Sequence, residues 1–327
     1  MTSVNTYLRR LTTAAALLLS ALAMSAQVDA GLTNYQTVPA YYNPAATGLT
    51  DYIHISAGSR LQWVGIHHAP MTFMVLADMP FKLLDRRWGT GVIVESESMG
   101  LYRSTIAGAQ LSWKKNMLKG TLHVGFQAGI INESFRGSKA DPLDTDPAHT
   151  SADDAIPDTD VGGTAFDISA GVWFTHKWFW VGISSTHLTA PTISLKAENN
   201  EEDIYEFDAG RLYYFMAGSN IPIKNTLFEV RPSVMVKSDF NFVQAEATAV
   251  VRYNKFLSFG VGYRHKDAVS VLLGADWKNF HFGYSYDYAT TAISKASTGS
   301  HEVFLQYNVK LDMGEKNRNK HKSIRIM

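Results

Sequence analysis

The sequence has 327 residues and a formal net charge of zero, so it lacks the basic surplus expected of a general nucleic-acid-binding protein. It contains no cysteine, which excludes disulfides, thiolate metal sites and a cysteine nucleophile. Charged residues make up 18% of the chain and aromatic residues 12%, a profile typical of an antiparallel β protein with much of its surface out of water.

The first predicted element is a secretory signal peptide over residues 1–26. Two arginines precede an apolar run over 11–24, and small residues follow it. This run is too short for a spanning helix, so we expect cleavage between Ser25 and Gly31. No later window has 18 uninterrupted apolar residues, so an exported chain that enters a membrane must do so as a closed β-barrel.

Apolar residues alternate with small or polar residues over most of the remaining chain. In 280–288, phenylalanines and tyrosines alternate with His281, Gly283, Ser285 and Asp287. Such runs are about 9–11 residues long, which is enough to cross a bilayer at a tilt, whereas strands of soluble sandwiches average about 5–6 residues. We therefore predict an all-β fold, an antiparallel transmembrane outer-membrane β-barrel of about 14 strands. The predicted strands are centred near residues 57, 75, 92, 107, 126, 169, 183, 216, 231, 248, 260, 272, 284 and 306.

An even strand number places both ends of the chain on one side of the membrane, which we take to be the periplasmic side. The long predicted connections, 132–163, 188–211 and 289–301, then all fall on the outer side, where outer-membrane barrels keep their long loops. The predicted organisation is a signal peptide (1–26), an N-terminal periplasmic segment (27–50), a transmembrane barrel (51–312) and a basic C-terminal tail (313–327).

One loop carries a candidate metal site. The segment 141–160 is rich in aspartate, and alternating carboxylates are ligands that Ca²⁺ prefers. The segment lacks the central glycine and closing glutamate of an EF-hand, so a solvated outer loop is the preferred interpretation and a calcium site the alternative. The candidate ligands are Asp141, Asp144, Asp146, Asp153 and Asp154.

The sequence holds no GxSxG, Walker or HExxH motif, so no enzyme activity and no cofactor are predicted. Instead, YYNPAATG occupies residues 41–48, SRLQWVGIHHAPMTFMVLADMP occupies 59–80, and YSYDY and GSHEVFLQY follow near the end of the chain. In this order the stretches resemble the PorP/SprF family of type IX secretion system membrane proteins from Bacteroidota. NPAxxG by itself is shared with fatty-acid-transporter-like barrels. The motif residues taken as interaction candidates are Asn43, Pro44, Gly48, Arg60, Gln62, Trp63, Gly65, Pro70, Asp287, Tyr288, Gly299, His301 and Glu302.

The resemblance implies a non-enzymatic barrel in the outer membrane of a Gram-negative bacterium. It implies support of secretion or surface display of sorting-domain proteins, often gliding adhesins. The implied partners are the periplasmic ring, the translocon barrel, the secreted cargo and outer-membrane lipid. A passive porin or fatty-acid-transporter-like channel is the alternative function.

Two expectations concern the lumen. Fourteen strands lie between the packed eight-stranded barrel and the open porin of about 16–18 strands, so the lumen is narrow, plugged or occupied by a partner segment. Asp287 and Glu302 should join a polar lumenal or rim cluster that helps seat a loop, plug or partner. A purely structural role remains the other interpretation of each motif residue, with Trp63, for example, anchoring the barrel at the membrane interface.

Overall fold

The computed structural model describes residues 31–140, 157, 159–197 and 200–313. The predicted signal peptide, the candidate calcium ligands and the basic tail from residue 314 onward lie outside these residues. The strands are β1 Tyr52–Leu61, β2 Met71–Leu83, β3 Arg86–Met99, β4 Tyr102–Met117, β5 Gly120–Arg136, β6 Asp160–His176, β7 Trp180–Thr186, β8 Thr192–Ala197, β9 Asn200–Asp208, β10 Leu212–Gly218, β11 Ile221–Pro222, β12 Phe228–Ser238, β13 Val243–Tyr253, β14 Leu257–Arg264, β15 Ala268–Trp277, β16 Phe280–Ala289 and β17 Ser300–Lys310. The described helices are α1 Pro39–Tyr42 and the 3-10 turns Pro44–Ala46, Gly137–Lys139 and Ala292–Lys295.

Fourteen of these strands form a closed antiparallel barrel, as predicted. Each strand pairs with the next along the chain from β1 to β7, then β7 pairs with β10, β10 with β12, and the series continues to β17. The ring closes where β1 pairs with β17, with Tyr52 opposite Lys310 and Arg60 opposite Glu302. The predicted centres fall within these fourteen strands, because two-residue alternation is a local property of each strand. In the described part of the chain, no helix is long and apolar enough to span a membrane.

The outer face of the barrel is apolar. Phe126, Phe166, Ile183 and Val303 point outward and are 57–60% exposed. Soluble monomers rarely expose apolar surface on this scale, whereas a lipid-facing barrel wall requires it. The alternation therefore separates a lipid-facing surface from an interior, as the sequence predicts.

The two ends of the barrel differ. At one end, called the short-turn end, hairpins turn within two residues at Leu84–Asp85 and Leu118–Lys119, where both residues have positive φ, and within three residues at 254–256. This backbone twist suits tight two-residue hairpins. Tyr52 and Lys310 lie at the same end, because the strand number is even. The opposite end, called the long-loop end, carries the connections 137–159, 187–211 and 290–299.

The predicted 188–211 connection holds more structure than a loop. Strands β8 and β9 form a hairpin within it, and β8 pairs with the first residues of β6. Ile193 and Leu195 of β8 pack with Ile131 and Val161 in a small apolar core. Short alternating segments such as TISLKA could have indicated this hairpin, because apolar residues recur at every second position.

The interior of the barrel is filled by its own N-terminal segment. Residues 31–48, here called the plug, comprise α1 and the first 3-10 turn, and most of their side chains are buried. The sequence predicts a periplasmic segment over 27–50, whereas the structure places 31–48 inside the lumen. The physical reason is the apolar content of the plug, since Leu32, Tyr35 and Tyr42 are at most 2% exposed and would otherwise face water.

The barrel wall is apolar where it meets the plug. Met74, Leu76, Met216 and Phe304 project inward and pack with the plug residues in one core. The interior therefore has an apolar centre in addition to inward-facing polar residues such as Ser285 and Asp287. The sequence carries the signal in β2, where apolar residues occupy both faces of the strand in TFMVLA.

Candidate functional site

The candidate site is the contact between the plug and the barrel wall. It has two parts, which hold opposite ends of the plug. The charged cluster comprises Arg60, Glu246, Arg264, Asp287 and Glu302, and it binds the start of the plug. The glycine socket comprises wall glycines of β3, β5, β6 and β7, and it receives the NPAAT segment, residues 43–47.

The charged cluster is built across strands that are distant in sequence. Arg60 on β1 contacts Asp287 on β16 at 2.6 Å and Glu302 on β17 at 3.3 Å. Arg264 on β14 contacts Glu246 on β13 at 2.9 Å and Asp287 at 3.4 Å. All five residues are at most 4% exposed, so water screens these charges little. Such a cluster persists only if its charges are paired and hydrogen-bonded.

The plug supplies further hydrogen bonds to this cluster. The backbone N–H groups of Thr33 and Asn34 donate to the two carboxylate oxygens of Glu302 at 2.8 and 3.0 Å. The Thr33 hydroxyl donates to Asp287 at 2.8 Å and accepts from Arg60 at 2.9 Å and from Arg264 at 3.2 Å. Hydrogen bonds to charged groups are the stronger kind, so the cluster fixes the start of the plug in position.

Between its two ends, the plug is held by single polar contacts in an otherwise apolar interior. The Tyr41 hydroxyl donates to Glu95 at 2.7 Å, and the Tyr35 hydroxyl lies 2.6 Å from the hydroxyl of Ser233. Burial raises the pKa of Tyr35 to about 12, so its hydroxyl stays neutral at physiological pH.

The glycine socket accepts the backbone of the NPAAT segment at close range. A Cβ atom at Gly125 would overlap the backbone of Pro44 and Ala45, and one at Gly171 would overlap the side chain of Asn43. These glycines therefore make room for the plug rather than for a bend in the strand. Without them the plug could not reach the wall at this depth.

Asn43 is the central residue of the socket. Its side-chain oxygen accepts from the N–H of Ala45 at 2.9 Å and so caps the 3-10 turn. Its amide donates to the carbonyl groups of Val172 at 3.1 Å and Ile183 at 3.2 Å, which belong to β6 and β7. Pro44 follows at the first position of the turn, where its missing N–H leaves no bond unmade. The NP pair thus both shapes the turn and docks it.

The socket ends at Gly48. Its N–H donates to Asp78 on β2 at 2.7 Å, and its φ of 63° lies in the region that favours glycine. A Cβ there would come within 2.8 Å of the carbonyl oxygen of Met79. One residue earlier, the Thr47 hydroxyl donates to Gln110 at 2.7 Å. From this point the chain leaves the lumen and enters β1.

The remaining motif residues meet at the long-loop end. Val64 donates to the carbonyl of Gly299 at 2.8 Å, and the N–H of Trp63 donates to the hydroxyl of Ser300 at 3.1 Å. Gln62 donates to the carbonyl of Pro70, which closes the β1–β2 loop. The RxQWxG and GSHE stretches therefore contact each other directly, and this loop contact lies beside the charged cluster.

Three motif residues lie outside these contacts. Gly65 is exposed in the β1–β2 loop, and Tyr288 is 57% exposed on the outer face of β16. The Nδ1 atom of His301 forms a 2.8 Å hydrogen bond with the hydroxyl of Tyr284, outside the charged cluster. Within the described residues, no group of three or more His, Asp or Glu side chains is placed to hold a metal ion.

Sequence reasoning missed several residues of the site. Thr33 and Asn34 precede the NPA motif, and Glu246, Arg264 and Glu95 belong to no quoted stretch. A signal was present for the last three, because each is a charged residue at an inward position of a predicted strand. An inward charge in such a strand requires a partner inside the barrel.

A closed antiparallel barrel with an apolar outer face and an interior filled by its own chain defines an outer-membrane barrel protein. The family model of the type IX secretion system membrane protein PorP/SprF matches residues 24–307. The chain therefore belongs to the PorP/SprF family, as the sequence motifs indicate. Among curated proteins, none matches the sequence.

Three solved structures with a similar fold are distant from this chain in sequence. The toluene transporter TbuX of Ralstonia pickettii has a TM-score of 0.50 at 11% identity, over 83% of this chain and 92% of that one. A FadL homologue of Pseudomonas aeruginosa has a TM-score of 0.49 at 9% identity, over 83% and 93%. The outer membrane protein Omp33 of Acinetobacter baumannii has a TM-score of 0.45 at 7% identity, over 80% and 99%. The likeness to TbuX supports the barrel fold and nothing beyond it.

Proposed function

We propose that the protein is a non-enzymatic barrel of the type IX secretion system. In this role it supports secretion or surface display of sorting-domain proteins, including gliding adhesins. Its partners are the periplasmic ring, the translocon barrel and the cargo. The mature chain begins after a signal peptide, the short-turn end faces the periplasm, and the long-loop end faces the cell exterior. Membership of the PorP/SprF family supports this assignment.

The observation that carries the proposal is the plugged lumen. Thr33 and Asn34 are held at one end of the plug and Asn43 at the other, so clearing the lumen requires breaking bonds at both ends. Hydrogen bonds to charged groups contribute about 1.5–3 kcal/mol each and neutral ones about 0.5–1.5 kcal/mol. A lumen closed in this way favours a role through binding partners over a role as a passive solute channel.

The test is affinity purification of the tagged protein from detergent-solubilised outer membrane. We expect components of the periplasmic ring and the translocon barrel to co-purify. An unrelated tagged barrel, expressed at the same level, controls for non-specific capture. Purified protein in planar bilayers provides the second measurement, in which the wild type should conduct little. A steady small-solute leak without co-purified components would replace the proposal by the passive channel.

A further inference from the structure

The short-turn end of the barrel contains an open cavity of about 890 Å³, here called the vestibule. Its floor is the plug around Gln36–Ala40, and its mouth is bordered by Lys255, Lys278 and Lys310. Lys255 and Lys278 lie in hairpin turns, and Lys310 ends β17. The vestibule is therefore separated by the plug from the long-loop end, and a ligand reaches it only from the short-turn side.

The vestibule has an excess of positive charge. Arg231 and Arg252 in its wall are paired with Glu229 and Asp276 at 2.7 and 2.9 Å. The three lysines at the mouth are exposed, and no carboxylate in the described part of the chain forms an ion pair with them. Lysine ammonium groups grouped at the mouth of a concave, poorly hydrated site attract anions and concentrate them there.

The chain's own continuation does not supply the missing negative charge. Residues 311–327 follow Lys310 at the rim of the vestibule, and their sequence carries five lysines or arginines against Asp312 and Glu315. The sequence that follows β17 therefore adds positive rather than negative charge.

From these features we propose that the vestibule binds an acidic, extended peptide segment of another protein, which enters from the short-turn side. Its carboxylates meet Lys255, Lys278 and Lys310 at the mouth. Recognition of acidic motifs by clustered cations is a recurring mode of peptide binding. That the occupant is a protein segment, rather than a small anion, rests on the proposed function.

The experiment measures binding of labelled decaglutamate to the purified full-length barrel in detergent by fluorescence anisotropy. Decaglutamine and decalysine are the peptide controls. Trp173 and Trp180, which are stacked in the vestibule wall, report occupancy by their intrinsic fluorescence. We expect decaglutamate alone to bind and to change this fluorescence, and binding to weaken from low salt to 0.5 M salt.

A matched pair of variants tests the location. Lys255→Gln/Lys278→Gln/Lys310→Gln removes the mouth charges, whereas Lys119→Gln/Lys177→Gln/Lys224→Gln removes three exposed charges at the same end but outside the vestibule. We expect the first triple to weaken binding about tenfold, equivalent to about 1.4 kcal/mol, and the second less than twofold. Equal losses in both would overturn the proposal, because they would show general attraction to a basic barrel end.

If the first triple fails to fold, the single variants Lys278→Gln and Lys177→Gln replace the two triples. Each of these lysines lies over a neighbouring tryptophan ring, at 4.8 and 5.0 Å, so they differ mainly in position.

Nanodiscs with zwitterionic or anionic lipid test whether the mouth lysines bind lipid headgroups instead of a peptide. If the mouth lysines affect only the preference for anionic lipid and not peptide binding, they anchor headgroups and the proposal is wrong. If the wild-type barrel does not bind decaglutamate but secretion components co-purify with it, this inference alone is wrong. If it binds the peptide but no component co-purifies, the proposed function is wrong.

Discussion

Replacing Gly125 by alanine tests whether the glycine socket holds the plug. A Cβ at this position would overlap the backbone of Pro44 and Ala45, and backbone atoms cannot give way as a flexible side chain can. Overpacking of this kind costs about 1–3 kcal/mol. The plug can relieve the overlap by leaving the socket, which would break the bonds from Asn43 to the carbonyl groups of β6 and β7. The undocked population should therefore rise about 5- to 150-fold.

The assay uses the absence of cysteine from the chain. Thr47→Cys places one thiol on a plug residue that is 0% exposed, and its rate of labelling by a hydrophilic maleimide follows the undocked population. Gly262→Ala is the matched control, because Gly262 also faces the lumen but its added Cβ would meet only wall side chains, at 3.3 Å and beyond. Labelling of the Gly125→Ala barrel at the rate of the Gly262→Ala barrel would refute the socket.

Three further predictions follow from the cluster, the topology and the fold. The Asp287→Ala/Glu302→Ala variant should insert normally, because neither side chain faces lipid, but it leaves the Arg60 charge unpaired and should weaken binding of the plug by about 3–5 kcal/mol. We expect raised conductance in bilayers and reduced cargo display. Parental values of both would show that the cluster only lines the lumen. A tag within 141–160 should be labelled on whole cells, whereas a tag after Met327 should need permeabilised outer membranes, and reversed labelling would invert the proposed orientation. Circular dichroism of the purified protein should be dominated by β structure and its gel mobility should be heat-modifiable; a helical spectrum would contradict the barrel.

The barrel wall was predictable from local sequence. Residues such as Ser285 and Asp287 alternate with Tyr284 and Tyr288, and the structure buries the first pair and exposes the second. This alternation is fixed within each strand, because successive side chains point to opposite faces and those faces meet media of different polarity. The number of strands and the side on which each residue lies could therefore be read without knowing which strands pair.

The plug was not predictable in the same way. Residues 31–48 form one short helix and one 3-10 turn, which have no long period to recognise. Their apolar side chains are compatible with a buried segment, but the sequence does not show which part of the protein covers them. The expectation of a lumen that is narrow, plugged or occupied left this choice open.

Only the closed barrel decides which residues hold the plug. Arg60 and Glu302 come together because β1 pairs with β17, although the two residues lie far apart in the sequence. Likewise, the sequence shows Gly125 only as a glycine within a strand, and its close contact with Pro44 and Ala45 is visible only in the folded structure. The sequence by itself determines the strands and their two faces, because these depend on neighbours along the chain. The tertiary structure determines the binding site of the plug, because it depends on ion pairs and close contacts between segments that meet only when the ring closes.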